Sequence, residues 1–348
     1  MMVTSRRTFV AGLSALAAAS TLGARPLAAQ AASPRIIDTH HHIYPPAFVG
    51  PNLDRIVKDA SLPASAYTSW TPQYALDQMG KAGIATAIVS ISTPGIWWDD
   101  GNAAARMRAR ICNEYGAKMA QDHPGRFGMF AAIPLPDIKG SLREIAYAYD
   151  ALKLEGIGLL TSYKGHLLGD KAYEPVFEEL NRRKSVVFVH PTMSCCGNVF
   201  PGISSASIEF PTDTARAITS LAASGTMARF PDVTFIFSHG GGVLPSVLQR
   251  FGSIDGNLTP EERAQRLPKG LGYELKRHYY DVASVGAAPV AMAAVLKAWP
   301  ITQLTYGSDT PFGSATAIAT GITKEGLSDA DLAAIQRGNA ARLFPRYA

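Results

Sequence analysis

Five of the eight histidines sit at the ends of apolar runs. His40, His41 and His42 close the run that begins at Arg35, His190 closes Val186–Val189, and His239 closes Val233–Ser238. An acid, Asp309, follows a further such run, Gln303–Ser308. Imidazole nitrogens and a carboxylate oxygen are ligands that a borderline divalent cation takes. Side chains alternate along an extended chain, so His40 and His42 point one way and His41 the other. That pair can offer two nitrogens to one ion, to which His190 adds a third and Asp309 an oxygen. Three nitrogens and one oxygen suit Zn2+ with positions left open, and a set containing a carboxylate also accommodates Mn2+. His41, facing away, is read as a residue that packs or orients a neighbour.

Such groups meet only if the strands that carry them end together. The apolar runs predict strands at Arg35–His42, Ile84–Ser90, Arg126–Ile133, Gly156–Leu160, Val186–His190, Val233–His239, His278–Ala283 and Gln303–Ser308. Helical patterns lie between them, from Pro72–Ala82 to Asp329–Leu343. Runs such as Val186-Val187-Phe188-Val189 are apolar throughout, as strands covered on both faces are. Eight such units predict an α/β protein, a (β/α)8 TIM barrel, whose active face lies at the carboxyl ends of its strands. A doubly wound sheet is the alternative, but no Gly-rich phosphate fingerprint follows the first strand. Two longer loops, Pro45–Thr71 and Thr192–Pro211, are expected to wall a pocket.

Length and composition agree with a core-forming chain: 348 residues, 47% hydrophobic and 18% charged. The formal charge of +5 does not mark a nucleic-acid partner. Three of the 33 basic residues fall in the first 31 positions, which hold no acid, and the other 30 stand against 28 acidic residues, a net of +2. Three cysteines, Cys112, Cys195 and Cys196, are too few for a disulfide framework, and free thiols are expected. Residues 1–31 read as a leader: Ser5-Arg6-Arg7-Thr8-Phe9 resembles a twin-arginine export signal, followed by an Ala-rich run and Ala29-Gln30-Ala31. That run is about 15 residues, short of the roughly 20 needed for a membrane span. The expectation is one domain over residues 32–348, in a periplasmic or secreted protein with no membrane span.

Taken together, Asp38-Thr39-His40-His41-His42, Val189-His190-Pro191, Ser238-His239-Gly240-Gly241-Gly242 and Gly307-Ser308-Asp309-Thr310-Pro311-Phe312 resemble the amidohydrolase superfamily. More narrowly they resemble its mononuclear decarboxylase branch, the group of aminocarboxymuconate-semialdehyde, γ-resorcylate and 6-methylsalicylate decarboxylases. Ser207-Ile208-Glu209-Phe210-Pro211 with Asp213-Thr214-Ala215-Arg216-Ala217-Ile218 is similar to the last subgroup. The resemblance implies that His40, His42, His190 and Asp309 ligate the metal and that His239 acts beside it as a catalytic acid, base or polarising group. It implies that Arg250 reaches a substrate carboxylate from an adjoining subunit, hence a homodimer. Two-metal relatives carry a lysine or glutamate at the end of strand 4; here that strand ends Leu159-Leu160-Thr161, which implies one ion.

Two reactions fit these residues. Non-oxidative decarboxylation of a small hydroxylated aromatic acid needs a proton at the carbon bearing the carboxylate, from Asp309 or His239. Hydrolysis of a lactone or ester needs an activated water instead. Trp97, Trp98 and Phe312, with Tyr44 and Met193, follow strands and are expected to wall a flat aromatic substrate, which favours decarboxylation.

Overall fold

The computed structural model describes residues 35–60, 62–193 and 202–348. The expected leader, Cys195, Cys196 and part of Thr192–Pro211 lie outside the described residues. Eight parallel strands pair in chain order: β1 (Ile36–His42), β2 (Ile84–Ser90), β3 (Phe127–Ala132), β4 (Gly156–Leu160), β5 (Val186–His190), β6 (Thr234–Phe237), β7 (Tyr279–Asp281) and β8 (Leu304–Thr305). The chain after β8 closes the seam with β1: Thr39 N donates to Tyr306 O at 2.9 Å and His42 N to Thr310 O at 2.8 Å. The expected (β/α)8 barrel is the observed fold. Its last three strands are shorter than the apolar runs, because their ends leave the ladder to form turns, at His239 and Asp309 with left-handed backbone.

Helices separate the strands: α1 (Pro46–Ala60), α2 (Pro72–Ala82), α3 (Asn102–Asp122), α4 (Ile138–Asp150), α5 (Glu174–Arg182), α6 (Glu209–Ala223), α7 (Leu244–Phe251), α8 (Pro289–Ala298) and α9 (Ala315–Ile322). Local chemistry marks several starts. Thr71 caps α2 by accepting from Tyr74 N at 3.0 Å, and Asp137 caps α4 by accepting from Gly140 N at 3.0 Å. Pro45–Thr71, expected as a loop, is largely helical, with α1 and a short turn at Ser65–Thr68. Pro51 disguised it, but Phe48, Val49, Ile56 and Ala60 bury one face, and Phe48 lies against Trp98 at 5.8 Å. Cys112 is a buried free thiol in α3. No helix among the described residues is long and apolar enough to cross a membrane.

Alternation sorts each strand between two apolar layers. In β5, Val187 and Val189 join the layer under the helices, whereas Phe188 faces the barrel axis. Phe188 stacks on Phe130 at 5.3 Å, beside Ile37, Ile88 and Ile236. Glycine in β4 makes the room: a Cβ on Gly156 would fall 2.4 Å from Val186 O and 2.9 Å from Phe130 Cδ1. Ala340, Phe344 and Tyr347, from the chain's last turns, join this inner layer. Phe344→Ala is expected to cost about 3–5 kcal/mol through the cavity it leaves. Denaturant unfolding checks this, and an unchanged midpoint would refute the plug.

Candidate metal centre

β1 does not alternate evenly. Asp38 pairs with Ala87 and His41 with Val89, so three residues of β1 advance against two of β2. This bulge shifts the phase of the strand. Ile37 faces the barrel interior, yet His40 and His42, an odd number of residues further on, also face inward. Asp38 braces the bulge: one oxygen accepts from His40 N and Ser308 N, each at 3.0 Å, and the other from Ser308 Oγ at 2.6 Å. His41, on the outer side, lies with Nδ1 3.1 Å from that second oxygen, the orienting place expected for it.

The inward groups converge. His40 Nε2 and His42 Nε2 lie 3.2 Å apart, and Asp309 Oδ1 lies 3.2 and 3.1 Å from them. With His190, one ligand atom from each of the four residues falls within 4.8 Å of all the others. The second ring nitrogens face outward. His40 Nδ1 donates to Asp281 Oδ2 at 2.9 Å, His190 Nδ1 donates to Pro191 O at 2.8 Å, and His42 Nδ1 meets Ser90 Oγ at 3.1 Å. A carboxylate or carbonyl only accepts, so His40 and His190 keep a proton on Nδ1 and leave Nε2 as the atom that faces the ion. This donor set fits a divalent cation. At the end of β4, Thr161 gives its hydroxyl to Asp213, while Lys164 pairs with Asp99 at 3.1 Å on the surface. A single four-residue cluster is found among the described residues, as a mononuclear centre requires.

Electrostatics favour the ligand form at His42, His190 and Asp309, and keep on His40 a proton that a cation must displace. Burial pushes His42 down to about 4 and His190 well below its ordinary value, so both are neutral near pH 7. Burial also pushes His40 down, but Asp281 and Asp309 outweigh it and raise that imidazole to about 10. Burial would raise Asp309, yet His40, His239 and His42 together hold it well below the usual carboxylate range.

His239 stands beside the cluster, with Nε2 3.3 Å from Asp309 Oδ2, the oxygen turned away from the paired imidazoles. His239 and Asp309 both take left-handed backbone, φ 55° and 59°. Such residues cost about 1–3 kcal/mol each and concentrate at functional sites. Both border a cavity of about 440 Å3 whose other walls include His190, Phe210, Val243 and Phe312. The Phe312 ring is 5.9 Å from that of His42, the wall position expected of it.

Of the other expected contacts, Tyr44 and Met193 do not line this cavity, and three more lie elsewhere. Trp98 is buried under Arg108, whose guanidinium sits 4.1 Å from its ring, and Trp97 is held from outside by Lys164 at 4.7 Å. Neither borders the cavity. They follow β2, but their side chains turn into the packing between loop and helix. Arg250 is exposed on α7, outside the cavity of its own chain. Asp281, which the strand-end pattern of histidines does not single out, also meets this site; its signal in the sequence is an acid ending the stretch Tyr279-Tyr280.

The sequence profile described as amidohydrolase matches residues 37–346. The chain belongs to the amidohydrolase family. This amidohydrolase is 36% identical over 334 residues to decarboxylase macB of Penicillium terrestre, covering 89% of this chain and 95% of that one. It is 31% identical over 318 residues to the 6-methylsalicylic acid decarboxylase of Penicillium expansum, covering 89% and 96%. These relatives put it in the decarboxylase branch, among the carboxy-lyases of the superfamily. A crystal structure of 5-carboxyvanillate decarboxylase from Novosphingobium aromaticivorans, complexed with manganese and 4-hydroxy-3-methoxy-5-nitrobenzoic acid, superposes with a TM-score of 0.80. That match has 21% identity and covers 90% of this chain and 96% of the other, a likeness of fold.

Proposed function

We propose that this amidohydrolase is a metal-dependent, non-oxidative decarboxylase of a small hydroxylated aromatic acid of the salicylate type. One observation carries the reading: Asp309 turns Oδ1 to the imidazole pair and Oδ2 to His239, at the edge of a largely apolar cavity. His40, His42, His190 and Asp309 hold one divalent ion. Three imidazoles favour Zn2+, and the manganese bound by the related decarboxylase supports Mn2+. The bound ion supplies Lewis acidity toward a carboxylate or ortho-hydroxyl oxygen.

The protein's own groups do the rest. Phe312, Phe210 and Val243 confine the ring and keep water from it. Asp309 and His239 hold a proton between Oδ2 and Nε2 and pass it to the carbon that bears the carboxylate. The bond to the carboxylate then breaks, its electron pair restores the aromatic ring, and CO2 leaves. Arg250 serves the cavity of an adjoining copy in a homodimer. The leader over residues 1–31 sends the protein to the periplasm or out of the cell; Arg6 and Arg7 support that reading, and fractionation of cells expressing Arg6→Lys/Arg7→Lys tests it.

A panel of ortho-hydroxybenzoates and lactones, followed for CO2 and for acid together, tests the reaction. The expected result is CO2 from a hydroxybenzoate with no solvent oxygen in the product. Lactone turnover with solvent oxygen incorporated, and no gas from any acid at full metal loading, would overturn it in favour of a hydrolase.

A further inference from the structure

Strand β7 supplies no ligand to the metal cluster, yet it ends in a fully buried acid whose two oxygens serve three donors. Asp281 Oδ2 accepts from Nδ1 of His40 at 2.9 Å. Its Oδ1 accepts from the main-chain N of His239 at 3.0 Å and from Ala283 N at 2.9 Å. Asp281 is not among the residues that line the cavity, and His40 and His239 lie 241 and 42 positions from it along the chain. We infer that Asp281 is a positioning residue that holds the metal ligand His40 and the proton-carrying His239 with one carboxylate.

The geometry explains why both partners need holding. His40 can present a lone pair on Nε2 only while Nδ1 keeps its proton, and a buried carboxylate acceptor at Nδ1 secures that form. His239 needs help of another kind. It opens a run of four consecutive residues with positive φ, His239 at 55°, Gly240 at 66°, Gly241 at 86° and Gly242 at 67°. Left-handed backbone at a non-glycine residue persists only where its surroundings over-determine it. The bond from His239 N to Asp281 is one such restraint. A second comes from Trp299, whose Nε1 donates to Gly240 O at 2.9 Å while its ring stacks on Tyr280 at 4.0 Å. Val295 closes the third side, since a Cβ on Gly240 would fall 2.4 Å from its Cγ2. Released from these restraints, the His239 ring has no reason to stay 3.3 Å from Asp309 Oδ2.

The His40 half needs only the metal centre, whereas the His239 half rests on the decarboxylase reading, and two variants separate them. Asp281→Asn keeps the size of the side chain. However its amide is turned, its NH2 group faces a donor, either His40 Nδ1–H or the two main-chain N–H groups. Trp299→Phe keeps an aromatic ring on Tyr280 and removes only the bond to Gly240 O. Chelator competition for Zn2+ needs no substrate. Asp281→Asn is expected to weaken Zn2+ binding about 10- to 100-fold, and Trp299→Phe to change it less than about twofold. At saturating Zn2+ both variants are expected to lower kcat about 10- to 100-fold, with KM within about threefold, as misplacement of a reacting group does. Zn2+ affinity unchanged in Asp281→Asn overturns the His40 half. A normal kcat in fully loaded Asp281→Asn overturns the His239 half. If Asp281→Asn does not fold, the same two readouts in Asp281→Ala, which removes the acceptor without setting a new donor against either partner, decide both halves: unchanged Zn2+ affinity overturns the first and a normal kcat at full loading the second. A wild-type protein that decarboxylates no panel acid defeats the decarboxylase reading and leaves the Zn2+ result standing.

Discussion

His190→Ala is expected to fold and to release no measurable CO2, a loss of at least about 1000-fold in kcat/KM. The physical reason is local. His190 ends β5, its Nδ1 is spent on the carbonyl of its own neighbour, Pro191, and its ring lies against those of His40 and His42, at 5.2 and 4.7 Å, within the cluster itself. What the substitution removes is one of three inward nitrogens. The remaining ligands come from β1 and from the turn after β8, on one side of the barrel mouth, and cannot surround an ion. Elemental analysis should find the metal content of the variant far below that of the wild type, with the unfolding midpoint of the two metal-free proteins close together. More than a tenth of wild-type activity in His190→Ala would exclude His190 as a ligand.

Removal of the metal is the second large effect. Exhaustive chelation is expected to stop turnover, and Zn2+ or Mn2+ to restore it. Because the ion binds only the assembled cluster, chelation also removes stability, about 4 kcal/mol when the free ion stands at 1000 times its dissociation constant. A fall of several degrees in thermal midpoint follows and is reversed on reloading. Proton release gives an independent sign. In the metal-free protein His40, raised to about 10 by Asp281 and Asp309 against the effect of burial, carries an extra proton at pH 7.5. His42 and His190, pushed down chiefly by burial, carry none. Metal must displace the proton from His40, so uptake should release about one proton per ion at pH 7.5. Calorimetry in buffers of different ionisation enthalpy measures it. No release would mean that Asp281 and Asp309 do not govern His40 as the distances indicate.

Much of the centre was legible in the sequence because it sits where strands end. His190 and Asp309 follow runs whose apolar character marks them as barrel strands, and the carboxyl ends of such strands share one face. His40 and His42 were legible as a pair because residues two apart in a strand share a side. The aromatic residues were less so. Phe312 reaches the cavity, while Trp98 takes Arg108 over its ring and Trp97 takes Lys164. Loop residues have no period, so their sequence position says little about their direction. α1 was hidden for a related reason: Pro51 reads as a break, whereas burial of Phe48, Val49 and Ile56 carries the helix through it.

The amino-acid sequence by itself determined the ligand types, their order along eight repeating units and the enclosing barrel, because hydrophobic period and strand ends are local properties. Only the tertiary structure decided that a bulge, pinned by Asp38 to Ser308, turns His40 and His42 inward, and that Asp281 binds His40 and His239 at once. The direction of a side chain at a bulge, and the partners of a buried acid, are set by groups 42 to 270 residues away, which no local pattern can encode.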